Sequence, residues 1–162
     1  MSRRHFSAAA AAALSAALAF SLAGCGTSQI TGHGLEAAVG PTFARLYVLD
    51  QQALGNRGSD KTPDGYAQCT RGVIASNVAP APRSGSSASS YSGAGDDWSC
   101  VVNFPYPDGH IEPIVYDLSV EATGCYVATG PSSVVGPQTF KAASGRTVTN
   151  PLFEFDGCLN LH

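Results

Sequence analysis

Charge is scarce in this chain, at 13% of 162 residues, and basic charge is scarcest, with nine Lys and Arg against twelve Asp and Glu. Beyond Arg3 and Arg4, the basic residues Arg45, Arg57, Lys61, Arg71, Arg83, Lys141 and Arg146 are scattered, and they form no cluster. A net charge of −3 without a basic patch does not concentrate polyanions, which excludes nucleic acid as a partner through bulk electrostatics. No apolar run approaches the roughly 18–20 residues a spanning helix requires; the longest covers residues 8–20. Cys-x-x-Cys and paired Cys/His spacings are missing, so no structural zinc site is written into the chain. Gly93-Ala94-Gly95 and Gly130-Pro131 have no phosphate-loop lysine beside them, which leaves them as turn punctuation.

What is present begins with the leader. Arg3-Arg4, the alanine-rich run at 8–20 and the small residues Ala23-Gly24 follow the order of a secretory signal. Leu22-Ala23-Gly24-Cys25 resembles the lipobox of bacterial lipoproteins at every position. That resemblance implies removal of residues 1–24 and a diacylglyceryl thioether on the Cys25 sulfur. Two acyl chains give stable attachment where one is marginal, so the expected location is the outer face of the cell membrane, with the membrane itself as a partner. Ser2-Arg3-Arg4-His5-Phe6 is similar to the twin-arginine export motif, with Ser7 where leucine is usual.

Processing leaves one domain of ordinary size and a charge of −5, from seven basic and twelve acidic residues. Residues 25–34 form a lipidated tether whose last nine residues reach at most about 30 Å, holding the domain close to the bilayer. Over residues 35–54, Val39, Phe43, Leu46, Tyr47 and Leu54 recur at helical spacing, with Gly40-Pro41 or Thr42 as a start or kink. Residues 79–95 are built of Pro, Ser, Gly and Ala and are expected to form a mobile loop, because they bury too little to offset their ordering entropy. Beyond them the period becomes two. Trp98, Cys100, Val102 and Phe104 form one half-buried strand, and Ile114, Tyr116, Leu118, Val120 and Ala122 another, joined through Pro107-Asp108-Gly109. Thr123-Gly124 fits a two-residue hairpin loop with Ala122 opposite Cys125, a second hairpin turns at Ser144-Gly145, and residues 152–155 form a last strand. The expected fold class is α+β over residues 35–162, with one amino-terminal helix packed on an antiparallel sheet of four or five strands.

With Cys25 used for lipid, Cys69, Cys100, Cys125 and Cys158 remain, an even number in an exported chain and therefore two disulfides. If Phe104 faces Ile114, Cys100 and Cys125 lie about 13 Å apart along the sheet, beyond the roughly 7 Å a disulfide spans between α-carbons. Two connectivities survive. The preferred one joins Cys69 with Cys100, closing the loop at its base, and Cys125 with Cys158, tying the carboxyl end to the sheet. Asp96-Asp97-Trp98-Ser99-Cys100, Gly124-Cys125-Tyr126-Val127-Ala128-Thr129-Gly130-Pro131 and residues 150–158 resemble small secreted or lipid-anchored actinobacterial proteins. The resemblance implies a shared cysteine framework and sheet, and it carries no activity.

Candidate chemistry is thin. His110-Ile111-Glu112 offers two metal-binding side chains without a third, and Asp96, Asp97 and Asp156 read as turn and strand-end residues rather than a paired acid and base. Catalytic residues, metal and cofactor are therefore all expected to be none, and the chain is not expected to be an enzyme. Tyr91, Tyr106 and Tyr126 fall off the anticipated core face and form the candidate binding surface for an envelope protein or glycan. The alternative is a carrier with an apolar ligand in a helix–sheet pocket, which requires a cavity exceeding roughly 300 Å³ beneath the helix. Replacing Arg3 and Arg4 together with lysine should abolish export while leaving synthesis intact. Undiminished export in cells lacking the twin-arginine translocase would refute that route and spare the lipobox reading.

Overall fold

The computed structural model describes residues 30–56, 64–72, 91–105 and 110–161. Residues 1–24, Cys25, Tyr106, the Pro107-Asp108-Gly109 turn and most of the Pro/Ser/Gly segment lie outside the described residues.

Thr31 caps helix α1 (Gly32–Ala53): its backbone is extended, and its Oγ1 accepts the Gly34 N–H at 3.1 Å, satisfying one donor that a helix start leaves open. The helix begins three residues ahead of the expected start at Leu35 and continues through Pro41. Proline supplies no N–H to the Ala37 carbonyl, while next to it Thr42 Oγ1 donates to the Ala38 carbonyl at 2.8 Å. Leu35, Val39, Phe43 and Tyr47, four residues apart, form the buried face. Leu54, expected on that face, is the C-cap and lies exposed.

Strands β1 (Tyr66–Arg71), β2 (Gly95–Pro105), β3 (Ile111–Val120), β4 (Cys125–Thr129) and β7 (Glu154–Cys158) form one antiparallel sheet in the order β1-β2-β3-β4-β7. Between β4 and β7 the chain makes a single helical turn, α2 (Ser132–Val135), and a separate hairpin of β5 (Thr139–Lys141) and β6 (Thr147–Thr149), whose turn includes Ser144 and Gly145. The architecture is the expected α+β class, one amino-terminal helix on five antiparallel strands. The disulfides join Cys69 to Cys100 and Cys125 to Cys158.

Register departs from expectation twice, with different consequences. Phe104 faces Glu112 rather than Ile114, and Cys100 faces Tyr116, a slip of two residues that leaves every side chain on its expected face. The β3–β4 connection slips by one. Its loop has three residues, Ala122, Thr123 and Gly124, closed by the Gly124 N–H on the Glu121 carbonyl at 2.9 Å and the Glu121 N–H on the Cys125 carbonyl at 2.8 Å. Gly124 has φ +84°, the left-handed residue that three-residue hairpins place last. Because side chains alternate along a strand, this one-residue change turns Tyr126 inward, opposite Val120, and Val127 outward. Tyr126 is 1% exposed and is thereby removed from the candidate binding surface. The last strand also runs later than expected, over Glu154–Cys158, with residues 151–153 in the preceding turn.

Under α1 the core is aromatic. Phe43 meets Phe104 edge-on at 5.2 Å and Tyr116 at 5.8 Å, Tyr47 lies 4.3 Å from Phe104, and Tyr116 lies 5.1 Å from Phe155. Buried polar tips find partners: Tyr116 donates to the Leu152 carbonyl at 2.7 Å, and Tyr126 to Thr42 Oγ1 at 3.4 Å. On the other side of the sheet Ser99, Val101 and Asn103 are buried too, so β2 is enclosed on both faces rather than half-buried as its alternation suggested. The amide nitrogen and oxygen of Asn103 make no hydrogen bond there.

Asp50 continues the buried face of α1 beyond Tyr47, with the Gln51 amide donating to its Oδ2 at 3.2 Å. Burial raises its carboxyl above the ordinary 3.8, outweighing the opposing effect of that hydrogen bond. The folded state then holds this proton more tightly than the unfolded chain, so the contribution is fully present below pH 3.8 and is lost as pH rises through the raised value. Asp50→Asn should therefore raise the denaturation midpoint at pH 7 and flatten its decline between pH 4 and 7. Denaturant melts across that range check the point, and a lower midpoint at pH 7 would refute it.

Candidate functional site at the tether edge

The chain enters the domain beside the two ends of the segment that separates β1 from β2. Thr31 forms a bridge with Ser92, the Gly32 N–H donates to the Tyr91 carbonyl at 3.3 Å, and the Gly93 N–H donates to the Ile30 carbonyl at 2.9 Å. Ile30 itself is fully buried, which fixes the entering strand from its side chain as well as its backbone. Tyr91 remains 42% exposed on this edge, as its loop position predicted.

Arg71 holds the other components together. Its Nη2 donates to the carbonyls of Gly93 at 2.9 Å and Ala94 at 2.6 Å, and its Nη1 reaches the Asp97 carboxylate at 3.0 Å. The guanidinium lies 5.2 Å from the Trp98 ring centre, and Trp98 Nε1 donates to the same Gly93 carbonyl at 3.0 Å. Below this cluster the Cys69–Cys100 bond joins directly facing residues of β1 and β2, and the Glu36 carboxylate of α1 accepts the Cys69 N–H at 3.1 Å. Hydrogen bonds thus join Arg71, Gly93, Ala94, Asp97 and Trp98, while Arg71 Nε is buried without a hydrogen-bond partner, and the exposed Tyr91 lies at the border of this cluster.

Sequence reasoning overlooked Arg71, although a signal was there. Pairing Cys69 with Cys100 across antiparallel strands sets Arg71 opposite Trp98 automatically, two residues along each strand. Asp96 and Asp97 were expected as turn carboxylates; they sit at a β-bulge between Gly95 and Trp98, where Asp97 pairs with Arg71 and Asp96 accepts from Ser119.

The other candidates do not converge. His110 and Glu112 are exposed at the start of β3, and among the described residues no group of three His, Cys, Asp or Glu comes together. No described helix is long and apolar enough to cross a membrane. Depressions of about 280 and 270 Å³ lie at the β7 side, the first between Gly34, Ala37, Ala38 and the 159–161 segment, the second over Cys125 and Cys158. The first borders α1, but neither reaches the volume that the carrier reading requires, and aromatic rings pack under Phe43 and Tyr47, so the carrier alternative gains no support from them. No protein-family model matches the chain, and no curated protein or solved structure matches it.

Arg71→Ala removes two charge-assisted bonds to backbone carbonyls and should lower stability by about 1–3 kcal/mol. Asp97→Asn touches only a largely exposed ion pair and should cost under about 1 kcal/mol. Urea denaturation of the two variants checks this order, and a larger loss from Asp97→Asn would show that the ion pair, not the carbonyl clamp, holds the edge.

Proposed function

We propose that the chain is a lipoprotein anchored through Cys25 to the outer face of the bacterial cell membrane, where it acts as a non-enzymatic module that binds an envelope protein or glycan. Two observations support the compartment: the lipobox at residues 22–25 and two disulfides, a form of crosslink that persists in oxidising surroundings. The observation that carries the binding role is the tether edge. A hydrogen-bonded cluster built on Arg71 and Trp98 borders the exposed Tyr91 beside the point where the chain joins the domain, seven residues past Cys25 at Gly32. Tyrosine offers a large, amphipathic contact at low cost in side-chain entropy, which suits a recognition surface. Tyr106 is assigned to the same role from sequence, and Tyr126 is not, because it is buried.

Cys25→Ser should shift the protein from the membrane fraction to a form that retains residues 1–24, and intact-mass measurement of wild-type material should show a chain starting at Cys25 with an acyl increment. Crosslinking in intact envelope, followed by Tyr91→Ala, should reduce capture of a defined partner without changing membrane attachment. A wild-type mass that includes Met1, or lacks the increment on Cys25, would refute the anchor; capture unaffected by Tyr91→Ala and no greater than that of an unrelated lipoprotein would refute the binding role.

A further inference from the structure

The two disulfides link the same kind of position, directly facing residues of antiparallel strands, yet they occupy opposite faces of the sheet. Cys69 and Cys100 belong to the core under α1, at 2% and 0% exposed. Cys125 is half-buried and Cys158 exposed, on the outward face of β4 and β7, in the floor of the 270 Å³ depression. Glu121 and Asp156 line the same depression, beside Ser119 and Val127.

Thiol–disulfide exchange requires a thiolate to reach one sulfur from outside, so access decides which bond reacts. We propose that Cys125–Cys158 is a thiol–disulfide exchange site that reacts in the native fold, whereas Cys69–Cys100 does not, and that its reactant is a dithiol reductant without net negative charge. A thiolate of the reductant attacks the Cys158 sulfur; the bond to Cys125 breaks, and Cys125 leaves as a thiolate that takes a proton from water. The second thiol of the reductant, once deprotonated, attacks the mixed disulfide and releases Cys158, which is protonated in turn. Two electrons pass from the dithiol to the protein, leaving an oxidised reductant and two free thiols.

The carboxylates of Glu121 and Asp156 supply the selectivity. They repel the attacking glutathione thiolate, which carries an additional net negative charge, more than the thiolate of an otherwise neutral dithiol. Reduction keeps the β4–β7 ladder but removes the covalent tie on the chain end, where the Leu159 N–H is bonded to the Gly124 carbonyl at 2.9 Å and Leu159 packs on Gly34. The site is therefore a clasp on the 159–161 segment that a reductant can open without unfolding the domain.

The test uses the oxidised full chain in native buffer, treated with graded dithiothreitol or with glutathione at equal thiol concentration, then trapped with iodoacetamide and mapped by peptide mass. Circular dichroism follows the fold in parallel. Expected is labelling of Cys125 and Cys158 at least about tenfold faster than Cys69 and Cys100, with an unchanged spectrum. The double variant Glu121→Gln, Asp156→Asn should speed reduction by glutathione by a larger factor than reduction by dithiothreitol. Equal rates for the two bonds, earlier loss of Cys69–Cys100, or reduction only as the spectrum collapses would each overturn the exchange site; a double variant with no change in the glutathione rate would overturn the charge selectivity.

Discussion

Phe43 stands between Phe104 and Tyr116 and meets both rings edge-on, and this contact sets where α1 lies on the sheet. Truncating a buried ring of this kind costs about 3–5 kcal/mol, more than any single polar contact here is worth. Its neighbours on the helix are placed in consequence. Gly40, one turn earlier, brings the helix backbone so close to β1 that an added β-carbon would meet the Ala67 nitrogen at 3.1 Å. Glu36, a turn earlier again, reaches the Cys69 N–H, and Thr42 meets the Tyr126 hydroxyl on β4. One aromatic wedge thus aligns the helix with β1, β2, β3 and β4 together.

Much of this was legible because alternation along a strand is insensitive to some errors. The two-residue slip between β2 and β3 preserved the core set of Trp98, Cys100, Val102, Phe104, Ile114, Tyr116, Leu118 and Val120, since moving by two returns each side chain to its own face. The cysteine pairing held for a different reason: Cys100 faces Tyr116 and Cys125 lies beside Glu121, so the two stay far apart along the sheet in either register. Loop length is the sensitive quantity. Thr123-Gly124 reads equally well as a two-residue loop or as the end of a three-residue one, and only the bonds from Glu121 and Gly124 decide between them. That single residue separates an exposed Tyr126 from one packed across from Gly157, whose missing side chain leaves room for the ring. The helix start was missed because Gly32-His33-Gly34 has poor helix propensity, and Thr31 overrides it by capping. Arg71 was missed because a lone basic residue on a strand end carries no period.

The crosslinks follow from the connectivity of the sheet. β2 joins β3, and β3 joins β4, through short connections whose pairing is local and inexpensive in chain entropy. β1 and β7 are the two edge strands; each has a single ladder, and each reaches its partner only after a long excursion of the chain. The disulfides fall on these two ladders, at sequence separations of 31 and 33, where closing the unfolded loop removes about 3–4 kcal/mol of chain entropy on the usual polymer estimate. Edge strands fray first, so covalent bonds sit where the ladder alone is weakest.

That distribution also separates the molecule into two ends with different tasks. At the β1–β2 end the covalent bond is buried, and Arg71 and Trp98 both donate to the Gly93 carbonyl near the edge that carries Tyr91. At the β4–β7 end the bond is outward, and the chain beyond it rests on small helix residues, Gly34, Ala37 and Ala38. On the proposed anchoring, Cys25 and Ile30 are five residues apart and separated by at most about 18 Å, which keeps the edge that carries Tyr91, and the 159–161 segment packed on Gly34, within reach of the bilayer surface. A surface held near the membrane gains from stiffness, because order already fixed by folding is not lost again on binding.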